Sequence, residues 1–169
     1  SGNPEKAKEL LKKAGFSKDN PAVVEIWYPS SSATRSLTAL VLKALAKKTM
    51  DGMLVFDVNT VDSTSAFKNI AEGLYPAFLL DWYPDYLDAD NYIQPFLSCE
   101  QGSPEKGCKK GGSKSQGSFF YSQQMNQLIK QEREEQDPEQ RKQIFAEIQE
   151  KLARKVPYVP LWQSKDYIF

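Results

Sequence analysis

The chain has 169 residues, with 22 Lys and Arg balanced by 22 Asp and Glu, and no histidine. Hydrophobic residues make up 40% and charged residues 26%, a globular composition whose neutrality argues against a basic nucleic-acid module or a membrane-surface patch. Without imidazole, Ser-His-Asp and Cys-His nucleophiles, His-ligated zinc and an imidazole general base are excluded.

The first helix follows Ser1-Gly2, with Asn3 as N-cap, Pro4 at the first helical position and Ala7, Leu10, Leu11 and Ala14 on one face. Gly15 ends it. After a turn from Ser17 to Pro21, Val23 to Tyr28 reads as a strand closed by Pro29. A polar loop from Ser30 to Ala33 precedes Leu37, Leu40, Val41, Ala44 and Leu45 at helical spacing. Met53 to Val58 is a second strand, Ser65 to Glu72 a helix ended by Gly73, and Tyr75 to Trp82 a third strand. This alternation predicts an α/β layer with a mostly parallel sheet flanked by helices. The apolar runs suit strands buried on both faces.

Cys99 and Cys108 fall in or beside a Gly-, Ser- and Lys-rich stretch, Gln101 to Ser118. They read as an incidental pair, a redox switch or a structural disulfide. Half a metal site is a poor fit, since no other Cys and no His can complete it. Closing a loop of about 10 residues stabilises by roughly 2–3 kcal/mol, useful in a stretch with few apolar anchors. A disulfide favours an extracytoplasmic compartment. Two helices follow, one from about Gln123 to Gln136 capped by Ser122, with Met125, Leu128 and Ile129 inward. The other is capped by Asp137, with Pro138 first, Gln140 third and Ile144, Phe145, Ile148, Leu152 and Val156 as its stripe. Val156 to Trp162 reads as an extended edge or crossing segment, because Pro157 and Pro160 cannot donate to a ladder.

No apolar run approaches the ~20 residues of a membrane span. The longest candidate, Leu37 to Ala46, is followed by Lys47 and Lys48. No signal peptide opens the chain and it stops at Phe169 without a polar tail. It is therefore expected to be either cytosolic or an internal piece of a longer protein.

The densest chemistry lies in Asp81-Trp82-Tyr83-Pro84-Asp85-Tyr86-Leu87-Asp88-Ala89-Asp90-Asn91-Tyr92, directly after the third strand. In open α/β sheets ligands bind beyond the carboxyl ends of strands. Aromatics supply flat apolar contact and a carboxylate can hold an ammonium group, a composition suited to a cationic or amphipathic ligand. Asp88 also reads as the cap of a helix running through Leu97, with Asp90 in its first turn. Calcium ligation by Asp85, Asp88 and Asp90 lacks the glycine turn and the bidentate Glu of an EF-hand loop. A carboxylate-based hydrolase using Asp81 and Asp85 is the reading from another class. Trp82 and Tyr83 are each also compatible with core packing.

Asp81 to Phe96 resembles the Gly-Trp-x-x-Asp-Tyr-x-Asp-Pro-Asp-Asn-Phe motif of family 5 extracellular solute-binding proteins, the peptide, oligopeptide and nickel-type binding components of ABC importers. Asn3 to Phe16, Asp137 to Leu152 and Val156 to Trp162 resemble three further motifs of that family, in family order. The resemblance implies a periplasmic binding protein type II-like lobe. Residues 1–169 would form a single lobe, the C-terminal one, of a longer two-lobed clamshell.

It further implies that Asp85 holds the α-amino group of a bound peptide, while the backbone at Trp82 and Tyr83 runs along the peptide main chain. Asp81 is a fourth ligand-binding candidate, and it departs from the pattern by replacing a small glycine at the cleft edge. Dipeptide-type members carry an Arg in the loop after the first strand. Ser30-Ser31-Ser32 has none, and Arg35 reads as a helix-surface residue. The implied partners are a peptide or small solute, ABC permease subunits and the missing N-terminal lobe, with no nucleic acid, no cofactor and no resident metal. The implied location is periplasmic or extracytoplasmic, membrane-tethered in the full-length protein. A nickel-chelate ligand, or a receptor that senses rather than imports, are the alternatives within binding proteins.

Overall fold

A computed structural model describes residues 2–163. The expectations about the chain's first residue and its end at Phe169 lie outside them. The backbone divides into two compact units, one through Trp82 and one from Tyr83 onward.

The first unit opens with helix α1 (Pro4–Lys13), whose Asn3 cap accepts the Lys6 N–H at 3.0 Å. Strand β1 (Ala22–Pro29), helix α2 (Ala33–Thr49), strand β2 (Leu54–Val61), helix α3 (Ser63–Glu72) and strand β3 (Ala77–Phe78) follow. The three strands form a parallel sheet in the order β2-β1-β3, as the alternation of elements predicts. Gly73 ends α3 at φ 74°, a left-handed conformation that glycine adopts without a Cβ penalty.

Two expectations change here. Tyr75 to Trp82 is far shorter as a strand, because β1 ends at Pro29. The ladder reaches the Leu79 N–H donating to the Trp27 carbonyl at 2.9 Å, and the next donor from β1 would be a proline nitrogen. The sheet is also not buried on both faces. Ile26 and Tyr28 are buried with Ala39 of α2, and Phe56 and Val58 pack against them. The alternate positions Val23, Glu25, Val55 and Asp57 are exposed. Glu25 and Asp57 are cross-strand neighbours, and two like charges resist burial without partners. Toward the strand ends that face is covered instead by Tyr75, 5.0 Å from the Trp27 ring.

The second unit begins with the loop from Tyr83 and a short 3₁₀ turn, Ala89–Tyr92, then helix α4 (Gln94–Leu97). The continuous helix expected from Asp88 to Leu97 is broken. Pro95 has no N–H to give the carbonyl four residues back, so the helix restarts after Ile93. Strands β4 (Gln101–Ser103) and β5 (Gly107–Lys110) make an antiparallel hairpin where sequence suggested only a loop. Helix α5 (Gly112–Ser115) leads to α6 (Gln123–Glu134) and α7 (Pro138–Lys155). Ser122 and Asp137 cap α6 and α7 as expected. The core joins Ile93, Leu97, Met125, Leu128, Ile129 and Ile148. Val156 leaves the stripe: it ends α7 at φ 50° and is exposed, and residues 157–163 form no ladder.

Cys99 and Cys108 form a disulfide with Cα atoms 5.6 Å apart, both cysteines being buried. The hairpin is fastened to α6 by Asn126, whose amide oxygen accepts the Cys99 N–H at 2.9 Å while its amide nitrogen donates to the Cys99 carbonyl at 2.7 Å. Gly111 lets the chain pass beside this clamp, since a Cβ there would lie 2.9 Å from the Cys99 Cα. Replacing both cysteines with serine is expected to lower stability by roughly 2–3 kcal/mol, read from denaturant midpoints. The wild type under reductant should fall to the same midpoint.

Candidate functional site

The segment flagged by sequence straddles the two units. Asp81 and Trp82 close the first, while Tyr83 and Asp85 open the second.

In the first unit, Asp81 forms an ion pair with Arg35. Arg35 sits in the first turn of α2, where Ser32 caps the helix by accepting the Arg35 N–H at 3.4 Å. Its side chain is only 16% exposed. The expectation of a helix-surface arginine is therefore overturned: the side chain runs along the protein to reach the strand-end carboxylate. Both charges line a cavity of about 160 Å³ at the carboxyl end of β1, walled by Phe67, Ile70, Phe78 and Leu80. Ser31 and Ser63 meet at its edge, with their hydroxyl oxygens 2.8 Å apart. Arg35 is the residue that sequence reasoning missed. Its spacing from Ser32 marks the helix start, but nothing local signals the partner 46 positions away.

In the second unit, the side chains of the loop play different roles. Asp85 is exposed and makes no ion pair among the described residues. Its backbone N–H donates to the Asn91 side-chain oxygen at 3.1 Å, which pins the loop without using the carboxylate. Tyr83 is 71% exposed, so its ring is no core residue of this unit; Trp82, the last residue of the first unit, is half-buried. Asp88 caps the 3₁₀ turn by accepting the Asp90 N–H at 2.8 Å. Asp88 also takes the Arg141 guanidinium on both oxygens, at 2.7 and 2.8 Å. This bidentate pair holds the Asp88 carboxyl down at about 2, with the Asp90 N–H adding to the effect.

Arg141 is a hub. From α7 it also donates to the Glu132 carboxylate at 2.8 Å and to the Glu132 main-chain carbonyl at 2.8 Å, with the Phe145 ring 5.0 Å from its guanidinium carbon. Asp90 is buried and accepts the Tyr86 hydroxyl at 2.7 Å, with the Arg133 Nε 3.5 Å from the same oxygen. Tyr158 donates to the Tyr92 carbonyl at 3.1 Å, and burial pushes its phenol up to about 12, so it remains a neutral donor. Asp88 and Asp90 are thus committed to arginines and do not converge with Asp85 on a cation. No group of three or more His, Cys, Asp or Glu among the described residues could hold a metal ion.

Residues 1–104 match the family described as bacterial extracellular solute-binding proteins, family 5 Middle. A di/tripeptide-binding protein 4 of Pseudomonas aeruginosa is 24% identical over 163 residues, covering 96% of this chain and 28% of the relative. Among solved structures, OppA of Haemophilus influenzae in complex with the peptide RPPGFSPFR has a TM-score of 0.76 at 20% identity, covering 89% of this chain and 27% of that one. DppA of Helicobacter pylori in complex with the peptide STSA has a TM-score of 0.73 at 23% identity, covering 93% and 28%. These likenesses establish the lobe fold of type II periplasmic binding proteins. The chain spans between a quarter and a third of the length of these relatives. No helix among the described residues is long and apolar enough to cross a membrane. The match covers more than half of the chain, which belongs to the family 5 bacterial extracellular solute-binding proteins.

Proposed function

We propose that this chain is the C-terminal lobe of a two-lobed solute-binding protein that captures peptides outside the cytoplasm and delivers them to ABC permease subunits. The protein performs no chemical step; ligand enclosure and hinge closure are its work. Asp85 holds the α-amino group of the peptide, and the backbone at Trp82 and Tyr83 runs beside the peptide main chain. Backbone pairing reads no side chain, while one carboxylate fixes the charged end and so the register. The protein is tethered at the membrane by a part of the longer chain.

One observation carries the reading. Of the carboxylates at Asp81, Asp85, Asp88 and Asp90, three face arginines and Asp85 alone makes no ion pair among the described residues. A carboxylate held on a pinned loop with no internal cation suits an incoming ammonium. The tests are calorimetry on the two-lobed protein with matched peptides carrying free or acetylated amino termini, and native mass spectrometry of carried ligand. Preference for the free amine supports the reading. Equal affinities, or a carried nickel chelate, would replace it.

Asp81 has a separate role. It neutralises Arg35 within the cavity, so that a peptide's terminal carboxylate meets no free cation there. Asp81→Asn should release Arg35 and tighten short peptides with a free carboxyl terminus by roughly tenfold, about 1.4 kcal/mol, relative to their amides. Comparing the two peptide forms by calorimetry checks this; parallel changes would remove Asp81 from specificity.

A further inference from the structure

Asp90 and Glu132 are both buried, at 4% and 0% exposure, and each keeps one carboxyl oxygen without a hydrogen-bond partner. These are Asp90 Oδ1 and Glu132 Oε1. Their other oxygens are satisfied: Asp90 Oδ2 by Tyr86 and Arg133, Glu132 Oε2 by Arg141. Both belong to one cluster: Asp90 pairs with Arg133, the residue next to Glu132 on α6, and Glu132 shares Arg141 with Asp88, two residues before Asp90. If both were ionised, two adjacent anionic oxygens would be buried unsatisfied, at a cost larger than that of an ordinary missing hydrogen bond. One proton removes both defects, because a single O–H···O bond uses one orphan as donor and the other as acceptor. The local charge count agrees. The cluster sets Asp88, Asp90 and Glu132 against Arg133 and Arg141, and one proton makes it neutral.

We propose that Asp90 and Glu132 share one proton, and that this proton positions the Asp85 loop. Asp90 sits on the 3₁₀ turn, and its neighbour Asn91 accepts the Asp85 N–H. Glu132 sits on α6, which is anchored in the core through Met125, Leu128 and Ile129. When the pair ionises fully, the carboxylates repel. The short turn yields before the core-packed helix does, and Asn91 carries the Asp85 amide with it.

The groups facing the pair are Tyr86 and Asp88 from the loop, Arg133 from α6, and Arg141 with Phe145 from α7. Burial first, then the Asp90 carboxylate, raises the Glu132 carboxyl to about 7, while Arg141 opposes the rise. An unfolded glutamate titrates near 4.5, so across that window the folded chain binds more protons than the unfolded one. Stability from this pair is therefore complete below the unfolded value and is lost as pH rises through about 7.

Carboxyl NMR titration of this chain, labelled at Asp and Glu side chains, tests the proposal together with hydrogen exchange at the Asp85 amide. One macroscopic step of the pair is expected near neutral pH. Protection of the Asp85 amide should fall by roughly tenfold through that step, beyond the intrinsic rise of exchange with pH. Glu132→Gln keeps an acceptor for Arg141 and a donor for Asp90 at every pH, so the extra fall should vanish. Ionisation of both wild-type carboxyls below about pH 5 would overturn the shared proton, whether or not the variant folds. An unchanged pH dependence at the Asp85 amide in Glu132→Gln would overturn the positioning. The consequence for amine capture rests on the function proposed above. The titration contains no ligand, so the two ideas fail separately.

Discussion

Asp85→Ala in the two-lobed protein is expected to weaken peptides with a free amino terminus by roughly 30-fold or more, about 2 kcal/mol, the usual loss when one partner of an enclosed charge pair is truncated. N-acetylated peptides carry no ammonium and should change by less than about threefold, within the range of a rim substitution. The contrast is the informative quantity, because a folding defect would weaken both series together. Asp85 is exposed, and its backbone hydrogen bond to Asn91 survives truncation, so the loop should keep its course. Calorimetry on matched peptide pairs reads the difference. Equal losses would remove the amine anchor and leave the segment as a structural loop.

Arg141→Ala should be the most destabilising single change in the second unit. It strips the Asp88 carboxylate of its bidentate partner and leaves the fully buried Glu132 without its cation. Removing one member of a buried charge cluster costs about 3–5 kcal/mol, and a denaturant midpoint on this chain would register it. Arg141→Lys should fall between alanine and wild type. A lysine keeps the charge but cannot present the planar fork that spans Asp88 and Glu132. A loss below about 1 kcal/mol for alanine would show the cluster to be no stronger than an exposed ion pair.

Much of this was legible in sequence where local chemistry decides. Asn3, Ser122 and Asp137 announce their helices because capping is settled within three residues of the cap, and all three do cap. The parallel order of the first unit follows from the alternation of strands and helices. Asp88 was readable as a cap, and it is one. What escaped depends on distant partners. Nothing near Arg35 announces Asp81, and nothing near Asp88 announces Arg141, 53 positions on. The polar alternates Glu25 and Asp57 were visible, yet the hydrophobic runs around them suggested two buried faces. The ladder to β3 stopped early through a proline on the neighbouring strand, which no reading of the third strand alone reveals.

The disulfide spans a sequence separation of only 9, and this affects the order of assembly. Such a loop closes with little search, since its entropic cost is small and no distant segment must arrive first. In an oxidising compartment the two cysteines can meet while α6 and α7 are still unformed. The crosslinked hairpin then serves as a finished edge on which Asn126 closes its two hydrogen bonds. Early, local oxidation is therefore the expected order, with the hairpin as a fixed piece on which the helical core can pack.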